Sequence, residues 1–96
     1  MSAADAPAQP YSIGPIWRDS NVRSGPSLES PVQKLLLPGD DVSYDAVGWV
    51  TGDEVVEGEN PKGVIISDIW FELAMGGWCS AVNFDQETVA RVVAEH

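Results

Sequence analysis

Seven prolines and nine glycines are scattered along a chain of 96 residues, and they leave little room for long helices. Proline fixes its own φ and lacks an amide donor, while glycine enters turns that other residues resist. This punctuation predicts one small domain of short strands joined by turns. The hydrophobic share, 44%, is too high for a disordered chain and suits a single modest core.

The stretch Ser20 to Ser27 organises the reading. Asn21-Val22-Arg23 reads as a strand running into a stiff polar turn. In that turn Gly25 allows positive φ, Pro26 is fixed, and the Ser24 and Ser27 hydroxyls can bond nearby backbone. Upstream, residues 1–15 are small and Pro-rich and predict a flexible or extended arm. Pro7-Ala8-Gln9-Pro10 has the spacing of a polyproline-II ligand, although a plain linker is the simpler reading. Ile13, Ile16 and Trp17 begin the apolar content, as a first strand or as an arm pinned on the domain.

Downstream, Val32 to Leu37 predicts a strand ended by Pro38-Gly39. Val42, Tyr44 and Ala46 alternate onto one face, Gly48 suggests a bulge, and Trp49-Val50-Thr51 resumes before a turn at Gly52-Asp53. Glu54 to Gly63 reads as a long exposed loop. Val64 to Ile66 and Ile69 to Leu73 then form strands. In the second, Ile69, Phe71 and Leu73 share one face and Trp70 and Glu72 the other. A three-residue loop at Met75-Gly76-Gly77 pairs Leu73 with Cys79 and puts Trp78 on the Trp70 side; a two-residue loop turns Trp78 inward. Asp85 is a helix N-cap, and Val89, Val92 and Val93 make an apolar stripe over the following turns. A helix this short must pack on the domain or on a partner. The reading gives an arm over 1–15, a β-barrel over 16–84 and a C-terminal helix over 85–96.

Fifteen acidic residues against five basic give a net charge of −10, which argues against binding nucleic acid or anionic membrane. No apolar run approaches the ~18 residues of a membrane span. Met1 to Pro7 lacks the basic and apolar regions of a signal peptide, so the expected location is the cytoplasm, with release by lysis or incorporation in a virion as the routes out. With His96 the lone histidine and Cys79 the lone cysteine, neither a Ser-His-Asp set nor a histidine metal site is expected, and no internal disulfide. Cys79 reads as an inert core thiol. The pairs Asp40-Asp41 and Asp53-Glu54 read as solvated turns, and Glu57 to Asn60 lacks the ligand spacing of a calcium loop. We therefore expect no enzyme, no cofactor and no metal. The aromatics carry more information, because Tyr44, Trp49, Trp70 and Trp78 are too many for so small a core to hide. Trp70 either lines a surface groove or packs inside the barrel.

Ser20 to Phe84 resembles a bacterial Src-homology-3 domain. Asn21-Val22-Arg23-Ser24-Gly25-Pro26-Ser27 is similar to the family's opening strand and loop, and Pro31-Val32 through Leu37-Pro38-Gly39-Asp40 to its second strand and turn. Trp70-Phe71-Glu72-Leu73, Gly77-Trp78-Cys79 and Ala81-Val82-Asn83-Phe84 fall in the family's order. Cys79 stands where the family has Val, and Gly48 to Asp68 is longer than its usual hairpin. The resemblance implies an all-β, partly open antiparallel barrel that binds a peptide, with cell-wall peptidoglycan stem or cross-bridge peptide as the ligand class. The expected ligand-binding residues are Tyr44, Trp49, Trp70 and Trp78, with Asn60 from the long loop. The alternative is a structural or adaptor subunit of a larger assembly, such as a bacteriophage virion accessory protein, contacting its partner through residues 1–15 and 85–96.

Overall fold

A computed structural model describes residues 10–38 and 43–96. The expected polyproline-II motif and the turn around Asp40-Asp41 fall largely outside that range. Six antiparallel strands curl into a half-barrel: β1 (Tyr11–Pro15), β2 (Ser20–Arg23), β3 (Val32–Leu36), β4 (Ser43–Glu57), β5 (Ile65–Leu73) and β6 (Trp78–Ser80). The spatial order is β1-β4-β5-β6-β2-β3. A 3-10 turn over Ala81–Asn83 leads into helix α1, Gln86–Glu95.

Helix α1 begins where Asp85 predicts. The Asp85 carboxylate accepts bonds from the Thr88 amide at 3.2 Å and the Thr88 hydroxyl at 2.9 Å, satisfying donors that the first helical turn leaves open. Its stripe packs on the barrel, with Val89 and Val92 buried in the core and Val93 packed against it. The core also gathers Ile13, Val22, Leu36, Leu73 and Cys79, and Phe71 meets Phe84 edge to face at 5.7 Å. Such an arrangement places the positive edge of one ring over the negative face of the other.

Four local expectations change. Residues 11–15 are not part of an arm: they pair with β4 as an edge strand, because Ile13 has a core to fill. Gly52-Asp53 is not a chain reversal. The ladder slips between Thr51 and Val55, and the strand continues to Glu57, so β4 and β5 form one long hairpin instead of short strands flanking a long loop. The tertiary cause is at Gly52. A β-carbon there would collide with the Pro26 carbonyl and the Trp70 ring, and the Asp53 amide bonds to that carbonyl at 3.2 Å. The β5–β6 loop is three residues long but falls on Ala74 to Gly76, closed by the Leu73 amide on the Gly77 carbonyl at 2.9 Å. Gly76 and Gly77 take φ of 100° and 90°, which fixes the loop where those glycines stand. Pairs therefore shift by two: Phe71 opposes Cys79 and Glu72 opposes Trp78, and Trp78 keeps the expected side. Gly25 does not use positive φ; it admits the Ser30 hydroxyl, which a β-carbon would meet at 2.9 Å.

Candidate functional site

The five expected ligand-binding residues do not converge. Trp70 is 1% exposed and belongs to the packing of the sheet's other face. The loop 24–30 lies over it, its indole N–H donates to the Asp53 carbonyl at 2.9 Å, and the Asp53 carboxylate accepts from the Ser27 hydroxyl at 2.8 Å and the Leu28 amide at 3.0 Å. The stiff turn is thus a lid clipped to the β4 irregularity, and Trp70 holds it from below. Tyr44 and Trp49 are half-buried against the core, Trp49 across from Phe71. Trp78 is half-buried opposite Glu72. Only Asn60 lines the cavity beside Trp17 and the start of α1.

That cavity has a volume of about 420 Å³ and three walls: Pro15, Ile16 and Trp17; Asn60, Pro61 and Lys62 of the hairpin tip; and Phe84, Asp85, Gln86 and Glu87 at the start of α1. The size falls within the range of small-ligand and peptide side-chain sites, roughly 300–1,000 Å³. The first and third walls are zipped together. Ile16 bridges Phe84, the Trp17 amide donates to the Asn83 carbonyl at 3.1 Å, and the Asp85 amide to the Pro15 carbonyl at 3.2 Å. The Trp17 indole N–H donates to the Val82 carbonyl at 2.7 Å, which fixes the ring.

The second wall is held by charge. Arg18 pairs with Glu57 and lies 3.7 Å from Glu59, and its guanidinium sits 5.6 Å from the Trp17 ring centre. At the tip the Asn60 side chain accepts from the Lys62 amide at 2.9 Å, and the Gly63 amide bonds to the Asn60 carbonyl at 3.0 Å. These bonds shape a turn that presents Pro61 toward the cavity wall.

A smaller cavity of about 150 Å³ touches Arg18, Arg23, Glu57 and Trp70. Asp19 also lines it, and its two arginines and Glu57 are already partnered. Arg23 donates to the Leu28 and Ser30 carbonyls at 3.0 and 2.9 Å, and Arg18 is paired as above. That leaves little there to recognise a ligand. In the larger cavity the Gln86 side-chain nitrogen donates to the Ala81 and Phe84 carbonyls, both at 2.9 Å, and no bond among the described residues uses its carbonyl oxygen. The chemistry on offer is apolar and aromatic surface with two amides, one cation and two carboxylates, suited to holding and orienting a ligand. Among the described residues no three His, Cys, Asp or Glu side chains gather as metal ligands would.

Cys79 is fully buried, and burial pushes its thiol from 9.0 up to about 12, against a smaller lowering by the Asn83 amide. It is packing rather than a nucleophile. Sequence reasoning missed Trp17. Its signal was the pair Trp17-Arg18 matched by Glu57 and Glu59 in a chain with five basic residues. No family model, curated protein or solved structure matches this chain.

Proposed function

We propose that this protein is a non-catalytic binding module that holds a peptide in the groove between Trp17, the hairpin tip and the start of α1. The observation that carries the reading is the convergence of Trp17, Pro15, Pro61 and Phe84 around a cavity of about 420 Å³ whose surface is mostly apolar. Aromatic and proline surfaces take up apolar side chains, while the Asn60 and Gln86 amides would orient a backbone. Asp85 and Glu87 at the rim, and the net charge of −10, favour a neutral or cationic peptide over an anionic one. The resemblance to bacterial Src-homology-3 domains makes cell-wall stem or cross-bridge peptide the first class to try. Titration of purified muropeptides, followed by tryptophan fluorescence, should saturate below about 1 mM and weaken about tenfold in Trp17→Ala. No binding at millimolar ligand would remove the proposal.

One observation favours the second reading, a subunit of a larger assembly. The outer half of the β4–β5 hairpin exposes Val56 at 62%, Val64 at 65% and Ile66 at 60%, with Val56 directly across from Ile66. Of the segments first expected to make the contacts, Tyr11–Pro15 is paired in the sheet and the valines of α1 pack on the core, while residues 1–9 lie outside the described range. The hairpin offers such an assembly a further apolar contact. Val56→Glu that leaves partner capture in a virion or lysate unchanged would count against this reading.

A further inference from the structure

The groove beside Trp17 is lined by three charged side chains, and its walls divide them by sign. Lys62 belongs to the hairpin tip, whereas Asp85 and Glu87 belong to the start of α1. The backbone under each is fixed. The Lys62 amide donates to the Asn60 side chain at 2.9 Å, and Gly63 behind it turns with φ of 123°. Asp85 is the N-cap of α1, and Glu87 sits in the first turn. Both capping bonds of Asp85 use Oδ2, and no bond among the described residues uses Oδ1. The other cation near the tip, Arg18, is taken up by Glu57 and Glu59. Among the described residues neither Asp85 nor Glu87 forms an ion pair with Lys62: the cavity keeps the two signs of charge apart.

We propose that the groove reads a peptide by two opposite charges, an ammonium group set against Asp85 and Glu87 and a carboxylate set against Lys62. The inference rests on the groove being the peptide site. The α1 wall is negative on balance, because two carboxylates outweigh the roughly half positive charge of a helix start. The tip wall is positive through Lys62 alone. Between them lies apolar surface from Trp17, Pro61 and Phe84. Such surface lowers the local dielectric and makes each pairing stronger than it would be on an open face. The remaining carboxylates of this acidic chain count for less, since salt screens charges beyond about 10 Å. Lys62 therefore decides whether a carboxylate is accepted at all. Direction follows from the same charges: a reversed peptide would set carboxylate against carboxylate and ammonium against ammonium, a penalty at both ends.

Calorimetric titration of the full chain with one synthetic lysine-containing stem peptide tests this. The peptide is used in four forms, with its amines free or acetylated and its carboxyl end free or amidated. The form with both groups free should bind most tightly. Acetylation and amidation should each weaken it about fivefold, the upper end for a pair at a groove rim. Lys62→Gln should abolish the effect of amidation and keep that of acetylation. Glu87→Gln should reduce the effect of acetylation and keep that of amidation. Lys62 and Glu87 are exposed, so neither change threatens the fold. Four forms that bind alike would overturn the charge reading and leave the groove as the peptide site. Effects of the two variants that are exchanged, or equal for both modifications, would overturn it as well. Binding by none of the forms at millimolar peptide would remove the peptide site and this inference together.

Discussion

The β4–β5 hairpin is one continuous pair of strands with two unlike halves. The inner half, Ala46 to Thr51 against Ile69 to Leu73, carries the buried side chains Ala46, Trp70, Phe71 and Leu73. Phe71 and Leu73 fill the core, and Trp70 is sealed by the loop 24–30. The outer half, Val55 to Glu57 against Ile65 to Ser67, carries Val56 and Ile66 largely in water. Its tip is tied to the body by Arg18 and its two carboxylate partners. The difference teaches how a small chain makes a site. The inner half builds the rigid scaffold, and the outer half is long enough to bend a turn over Trp17 and close a cavity. Burial holds the first in place, whereas an ion pair of modest worth holds the second.

Substitutions should separate the halves. Phe71→Ala should cost about 3–5 kcal/mol of global stability, because it leaves a hole under Phe84, whereas Val56→Ala should stay within about 0.5 kcal/mol. Denaturant unfolding measures both, and similar losses at the two sites would erase the distinction. At the junction, Gly52→Ala should cost about 1–3 kcal/mol, since the added methyl group meets the Pro26 carbonyl and the Trp70 ring. A neutral result there would mean that the loop is not clipped over Trp70.

Alkaline titration probes the core beside the inner half, where Cys79 of β6 lies across from Phe71. The Cys79 thiol is held up to about 12 in the fold against 9.0 ordinarily, so above pH 9 the unfolded chain releases a proton that the folded chain keeps. Stability should fall as pH rises from about 9 toward 12, by at most about 1.4 kcal/mol per pH unit from this group, and be independent of it below. Thermal melts of the protein and of Cys79→Ala should diverge in slope only in that window. The ion pair at the outer half also has a small global effect. Arg18→Ala should change overall stability by no more than about 1 kcal/mol. The same change should speed amide exchange over residues 59–63 and weaken peptide binding, showing that the ion pair serves the site more than the fold.

Much of this was legible in the sequence because it rests on local rules. The strand-then-turn at Asn21 to Ser27, the shared face of Phe71 and Leu73, and the Asp85 cap need only alternation and capping chemistry. The half-barrel followed from them. What could not be read depends on contacts distant along the chain. Gly52-Asp53 looks like a turn by composition and becomes strand because Pro26 supplies a partner from another loop. Trp70 looks like a binding aromatic and becomes packing for the same reason. Asn60 lines the cavity because it sits at a loop tip. Trp17 was missed because its place depends on the Val82 carbonyl and on Arg18 reaching Glu57.

The most direct test of the account is a two-dimensional amide and indole NMR titration with a neutral or cationic wall peptide. The account predicts that the Trp17 indole resonance and the amides of Asn60, Lys62 and Gln86 move together, while the Trp70 indole stays still. Shifts confined to Trp49 and Trp78, with Trp17 and the hairpin tip unmoved, would contradict it.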